Sequence, residues 1–286
     1  MADGKPDQLP SRFTAMFEEF RKELDEHHDR RERTIKASRD ITAASKKIIF
    51  TLQRVRSVGQ PLPAFVNKNN AQYWDMIKNQ YTSICADLQG LNAYRYSHNI
   101  TGGNQELMEA LSFQHYLETQ CVITYDEAQK KIASMCSERG AVSLTPDDYV
   151  LGICDMTGEL MRFSITSMAT NGTLPASRAN PHKRAKQEAR SEDADASDKM
   201  DIDEQVPARQ EADKPRTVLD DLRAIRLQLE MFDAPEGSKF GHELETKKMP
   251  VLRESVDKVE KALYGMTVRG SERPKGWMPD MGGESL

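Results

Sequence analysis

From Ser11 to about Ser57 the chain contains neither proline nor glycine, and this single feature narrows the possible folds most. One continuous helix over that stretch would reach roughly 70 Å at ~1.5 Å per residue, several times an ordinary globular helix. A spacing of seven places Phe13, Phe20, His27, Thr34, Ile41, Ile48 and Val55 on one row, with Phe17, Leu24, Arg31, Ser38, Ser45 and Leu52 beside it. The seam is apolar at both ends and polar in the middle. Unpaired polar groups in a seam cost stability, so either the helix rotates and these residues meet solvent, or they line a wet internal cavity.

After QPLPAF a second helix is predicted, because Trp74, Ile77, Tyr81, Ile84, Leu88 and Leu91 step by three and four. NITGGN reads as a loop. A third helix is expected from Gln105 to about Thr119, and a fourth from Tyr125 to Arg139, stopped by Gly140. Thr145-Pro146-Asp147-Asp148 supplies a capping hydroxyl, a proline at the first helical position and acids near the positive end of the dipole. The fifth helix it opens is apolar on nearly every side to about residue 170. TVLDDLRAIRLQLEMF forms a sixth, and a seventh carries Val251, Leu252, Val256, Val259 and Leu263, with Pro250 starting or kinking it.

The organisation expected is therefore all-α, with a disordered start (1–10), five helices (11–174), a disordered insertion (175–216), two more helices (217–270) and a loose tail (271–286). The insertion holds no Leu, Phe, Tyr or Trp and cannot bury enough surface to order itself. Its PHKRAKQEAR run reads as a solvated linker or as a basic import or RNA-tethering patch. No repeat is visible.

A net charge of −5 argues against a protein that coats nucleic acid by charge alone, so any RNA site must be local. Between Arg30 and Val58 nine basic residues stand against Glu32 and Asp40. Arg39, Lys46 and Lys47 in this run are candidates to hold phosphates, the alternative being a solvated helix face or an oligomer contact. Cys85, Cys121, Cys136 and Cys154 are scattered, which favours free thiols in a reducing compartment over a zinc site or a disulfide framework. The absence of an apolar leader or a span of about 18 apolar residues predicts a soluble intracellular protein with no membrane contact.

The chemistry is expected from two acid pairs. Glu106 and Glu109 are three apart, Asp155 and Glu159 four apart, so each pair projects from one face of its helix within a turn. All four sit among apolar residues, where close carboxylates take up protons or recruit a cation. Hard oxygen donors favour Mg²⁺ or Mn²⁺ over zinc. The competing reading is that each acid meets water or pairs with an arginine such as Arg162. A ferritin-like di-iron bundle is excluded, since no Glu precedes any histidine by three. No G-x-S-x-G elbow, P-loop or dinucleotide fingerprint is present. His115, in SFQHY, reads either as an RNA or outer-shell contact or as a core histidine.

Four segments, FEEFRKELDEHHDRRERTIKASRDIT, QELMEALSFQHYL, LTPDDYVLGICDMTGELMR and KALYGMTVRGSERPK, together resemble the translin-associated factor X branch of the translin superfamily. The resemblance covers the chain apart from its extreme termini and residues 175–216. It implies a seven-helix bundle with a very long first helix. It also implies assembly with translin into a hollow, octamer-like hetero-oligomer in cytoplasm and nucleus, and Mg²⁺-dependent cleavage of single-stranded RNA. The family's catalytic acids fall on Glu106, Glu109, Asp155 and Glu159, none of them replaced. Family substrates are small-RNA passenger strands and transfer-RNA precursor fragments, or the subunit serves only to stabilise translin and bind RNA. The long insertion and Pro250 depart from the family pattern.

Overall fold

The computed structural model describes residues 13–136, 140–176, 215–235 and 237–269. The expected disorder at 1–10 and 271–286, and nearly all of the insertion, lie outside them. Among the described residues the fold is all-α, with seven helices of eleven residues or more: α1 (Thr14–Leu52), α2 (Ala64–Ile84), α3 (Leu91–Thr119), α4 (Tyr125–Met135), α5 (Pro146–Asn171), α6 (Val218–Glu230) and α8 (Met249–Arg269). A short α7 (Lys239–Glu243) and a π-helical turn (Leu244–Lys248) lead into α8. No helix of the described residues is long and apolar enough to cross a membrane.

The chain divides into two compact units. The first comprises residues 1–48, 68–110 and 124–152, the second 49–67, 111–123 and 153–286. Ile41, Ile48, Ile77, Tyr81, Leu107, Met108 and Ile132 form the core of the first. The core of the second contains Leu52, Leu117, Leu160, Val218, Leu222, Val256 and the edge-to-face pair Phe113 and Phe163, whose ring centroids are 6.3 Å apart. Aromatic pairs of this geometry add about 0.5–1.5 kcal/mol beyond their buried area.

The helix α3 is continuous over 29 residues, and NITGGN lies inside its first-unit part. Glycine normally breaks a helix, but packing overrides the propensity here. A Cβ on Gly103 would lie 3.0 Å from the Ser38 carbonyl oxygen, and the Gly103 N–H donates to Ser38 Oγ at 3.0 Å. The glycine is what lets α3 lie against α1. The polar middle of α1 divides: Arg31 is exposed, as one of the two readings expects, whereas the smaller polar residues are not. Thr34, Ala37, Ser38, Ala44 and Ser45 are buried, and their small side chains suit a close helix contact. The apolar start of α1 behaves in the opposite way, with Phe13, Phe17, Phe20 and Leu24 all exposed.

The second helix is shorter than its periodicity suggests. It stops at Ile84, a turn follows with Gly90 at φ +57°, and exposed Leu91 opens α3. The start of α5 matches expectation, with Thr145 Oγ1 accepting from the Asp148 N–H at 3.1 Å. In the second unit, Thr217 and Asp220 form a reciprocal capping box on α6. Pro250 lies at the start of α8 as expected, but Val251, read as part of its apolar face, is exposed. The flanks of the insertion meet: Ala176 pairs with Thr217 as an antiparallel bridge, and the Val218 N–H donates to the Pro175 carbonyl at 3.0 Å.

Candidate functional site

In the first unit, Glu106 and Glu109 are half-buried on α3. What fixes them is the crossing of α5 at Gly152, where an added Cβ would stand 2.4 Å from Met108 Cβ and 3.4 Å from the Glu109 nitrogen. Lys46 Nζ lies 3.7 Å from a Glu106 oxygen, so one of the expected phosphate-holding lysines already faces one of the expected acids. Arg39, Lys46 and Lys47 are all exposed on α1. Arg30 and Arg33, from the same basic run, are committed instead to Asp87 at 3.2 and 2.9 Å. Burial would raise the Asp87 carboxyl, but the hydrogen bonds from Arg33 and Arg30 outweigh it and hold the group below the ordinary carboxylate range.

Beside Glu106 the first unit contains a buried polar chain. Tyr81 Oη donates to Asn104 Oδ1 at 2.8 Å, while Asn104 Nδ2 and Gln105 Nε2 donate to Asp148 at 3.3 and 3.0 Å. Burial raises the Asp148 carboxyl despite these donors. The network ties α2, α3 and the first turn of α5 together just ahead of the acid pair.

In the second unit, Asp155 and Glu159 lie one turn apart on α5. Glu159 is buried, accepting from Gln53 Nε2 at 2.6 Å, with Arg162 Nη1 3.3 Å away. Pairing with Arg162 is thus observed, as the alternative reading of the sequence anticipated. Asp155 has a partner that the sequence did not reveal: Lys248 Nζ, from the π-helical turn, donates to both carboxylate oxygens at 2.7 Å. The pair borders a cavity of about 230 Å³ lined also by Cys154, Gly158, Glu243, Lys247 and Val251. His115 is half-buried on α3 in this unit. Exposed Phe50, and Arg54 stacked 5.3 Å over the ring of Phe65, were also not singled out from the sequence. Their signal, aromatics interleaved with arginine, is common on helices.

The donor set, carboxylate oxygens alone, fits a hard divalent cation. Among the described residues no group of three or more His, Cys, Asp or Glu side chains could by itself hold a metal ion. Glu106, Asp155 and Glu159 each lie beside a cation of the protein's own: Lys46 at Glu106, Lys248 at Asp155 and Arg162 at Glu159.

Residues 29–270 match the model of the translin family. The chain belongs to the translin family. Within it, translin-associated protein X of Mus musculus is 31% identical over 297 aligned positions, covering 98% of this chain and 87% of the relative. The translin-associated protein X homolog of Schizosaccharomyces pombe is 37% identical over 152, covering 53% and 61%. Two crystal structures share the fold of this translin-family chain. Apo-NeC3PO has a TM-score of 0.55 at 15% identity over 92% of this chain and 99% of its own, and AfC3PO a TM-score of 0.50 at 17% identity over 88% and 97%.

Proposed function

We propose that this translin-family chain is the catalytic subunit of a Mg²⁺-dependent endoribonuclease, formed with translin as a hetero-oligomer and acting on single-stranded RNA. The observation that carries the reading is the state of Asp155 and Glu159. Both project from α5, and each lies beside a cationic side chain of the protein, Lys248 at Asp155 and Arg162 at Glu159. The resemblance of QELMEA and CDMTGE to the family's catalytic motifs supports assigning the role to these four acids.

Mg²⁺, or Mn²⁺ in its place, would be held by Glu106, Glu109, Asp155 and Glu159, and when bound would make a bound water acidic and steady the phosphorane charge. Arg39, Lys46 and Lys47 hold the phosphates of the strand, and His115 contacts it. Water attack leaves 5′-phosphate and 3′-hydroxyl ends, whereas 2′,3′-cyclic phosphates among the products would rule out this chemistry. Small-RNA passenger strands and transfer-RNA precursor fragments are the substrates proposed. Replacing Lys46 and Lys47 together by glutamine should lower RNA affinity at all sequences and reduce the salt slope by about 1.4, roughly 0.7 for each phosphate of a single strand no longer neutralised.

The test is to purify the chain with translin and measure cleavage of single-stranded RNA in Mg²⁺ for wild type, Glu109→Ala and Asp155→Ala, with light scattering on each. Abolished cleavage in an intact oligomer supports the enzyme. Undiminished cleavage favours a second reading, a scaffold that stabilises translin and binds RNA. That reading draws on the absence of a ready-made metal group among the described residues.

A further inference from the structure

Lys248 is the last residue of the π-helical turn, and its position is fixed from both sides. Leu244 and Met249 are buried, the Met249 N–H donates to the Leu244 carbonyl across the wide turn, and Pro250 follows. Such turns are uncommon and recur at functional sites. The side chain crosses to α5 and sets its ammonium 2.7 Å from both oxygens of Asp155. An approach equal to both oxygens occupies the bisector of the carboxylate, where a cation binding through both would sit. The side chains are 19% and 33% exposed, so solvent screens the pair only in part. The ion pair lies at the wall of the 230 Å³ cavity.

We propose that Lys248 is a positioning residue that competes with the divalent cation for Asp155. It holds the carboxylate in one orientation, and it lowers metal affinity because its ammonium must be exchanged. The released ammonium stays in the cavity, available to an anionic phosphate oxygen. This inference rests on the reading of Asp155 as a metal ligand.

The test is Mn²⁺ binding to the full chain in its oligomer, read from the paramagnetic resonance of free Mn²⁺, for wild type, Lys248→Met, Lys248→Arg and Asp155→Ala. Methionine keeps most of the stem and removes the charge, and should tighten Mn²⁺ binding about two- to fivefold, the equivalent of one partly exposed ion pair. Arginine restores the cation and should return affinity towards wild type. Lys248→Met with unchanged or weaker binding, while Asp155→Ala abolishes it, overturns the competition and leaves the metal-site reading standing. Binding that Asp155→Ala does not alter overturns both.

Discussion

Replacing Gly152 by alanine adds one methyl group to a helix that would ordinarily welcome it. In a helix interior alanine is favoured over glycine by about 0.5–1 kcal/mol, so propensity alone forecasts a gain. The structure forecasts a loss. The new Cβ would lie 2.4 Å from Met108 Cβ and 3.0 Å from the Gln105 carbonyl oxygen, against an ordinary carbon–carbon separation of about 3.5–4.0 Å. Met108 Cβ is bonded directly to its backbone, so no rotamer change relieves the overlap. The α3 and α5 backbones must part by about 1 Å, the shortfall from that ordinary separation, opening a gap among buried Leu107, Met108 and Leu151. Overpacking of this kind costs about 1–3 kcal/mol, which leaves a net loss of about 1–2 kcal/mol after the propensity gain.

Gly158, nearly two turns along the same helix, provides the control. Nothing lies within 4 Å of a Cβ built there, so Gly158→Ala should keep the propensity gain of about 0.5–1 kcal/mol. The two variants should therefore separate by the overpacking cost, about 1–3 kcal/mol, in urea unfolding followed by far-UV circular dichroism, or by roughly 2–12 °C in midpoint at about 2–4 °C per kcal/mol. Gly152→Ala should also lower RNA cleavage, because the α3 backbone displaced includes the Glu109 nitrogen. A Gly152→Ala chain as stable as wild type, or shifted in the same direction as Gly158→Ala, would refute the close crossing of the two helices.

Burial, with Asp155 adjacent, pushes the Cys154 thiol up to about 12, whereas Cys121 is exposed. Since the thiolate is the reactive form, iodoacetamide near pH 8 should label Cys121 in the folded chain and reach Cys154 only in denaturant, as mass spectrometry would read. The lowered Asp87 carboxyl contributes stability that is present above its unfolded pKa of about 3.9 and disappears as pH falls through the lower folded value. Asp87→Asn should thus cost about 1 kcal/mol at neutral pH and flatten the acid limb of the stability profile. Because Ala176 and Thr217 pair directly, exchanging residues 177–214 for a short Gly/Ser linker should leave the unfolding free energy from urea titration within about 1 kcal/mol of wild type, loop closure depending only weakly on length.

Most helices are legible in the sequence because periodicity reports the face a segment buries, and α5 in particular carries its own start signal in Thr145-Pro146-Asp147-Asp148. The misreading of NITGGN as a loop has a definite cause. Gly102 and Gly103 look locally like breakers, but their role is set by Ser38, 65 residues away from Gly103 along the chain, and no local pattern encodes that neighbour. The polar middle of α1 misleads for the complementary reason. Thr34, Ser38 and Ser45 look in isolation like groups seeking water, yet in a close helix crossing their small size matters more than their polarity, and neighbouring backbone absorbs part of the hydrogen bonding.

The acids are legible and their counter-charges are not, and the asymmetry has a physical origin. A carboxylate in an apolar helix is conspicuous in sequence because it breaks the local pattern at a cost that something must offset. The offsetting group can come from anywhere the fold brings near. Arg162, one turn from Glu159, can be named in advance, whereas Lys248 and Gln53 lie 93 and 106 residues from the acids they bind. Lys248 moreover sits in a charged KK dipeptide that reads as ordinary surface. What singles it out is the π-helical turn, a backbone feature with no residue signature of its own. An anomalous acid therefore marks the place of the proposed site, and only the structure gives the cation paired with it.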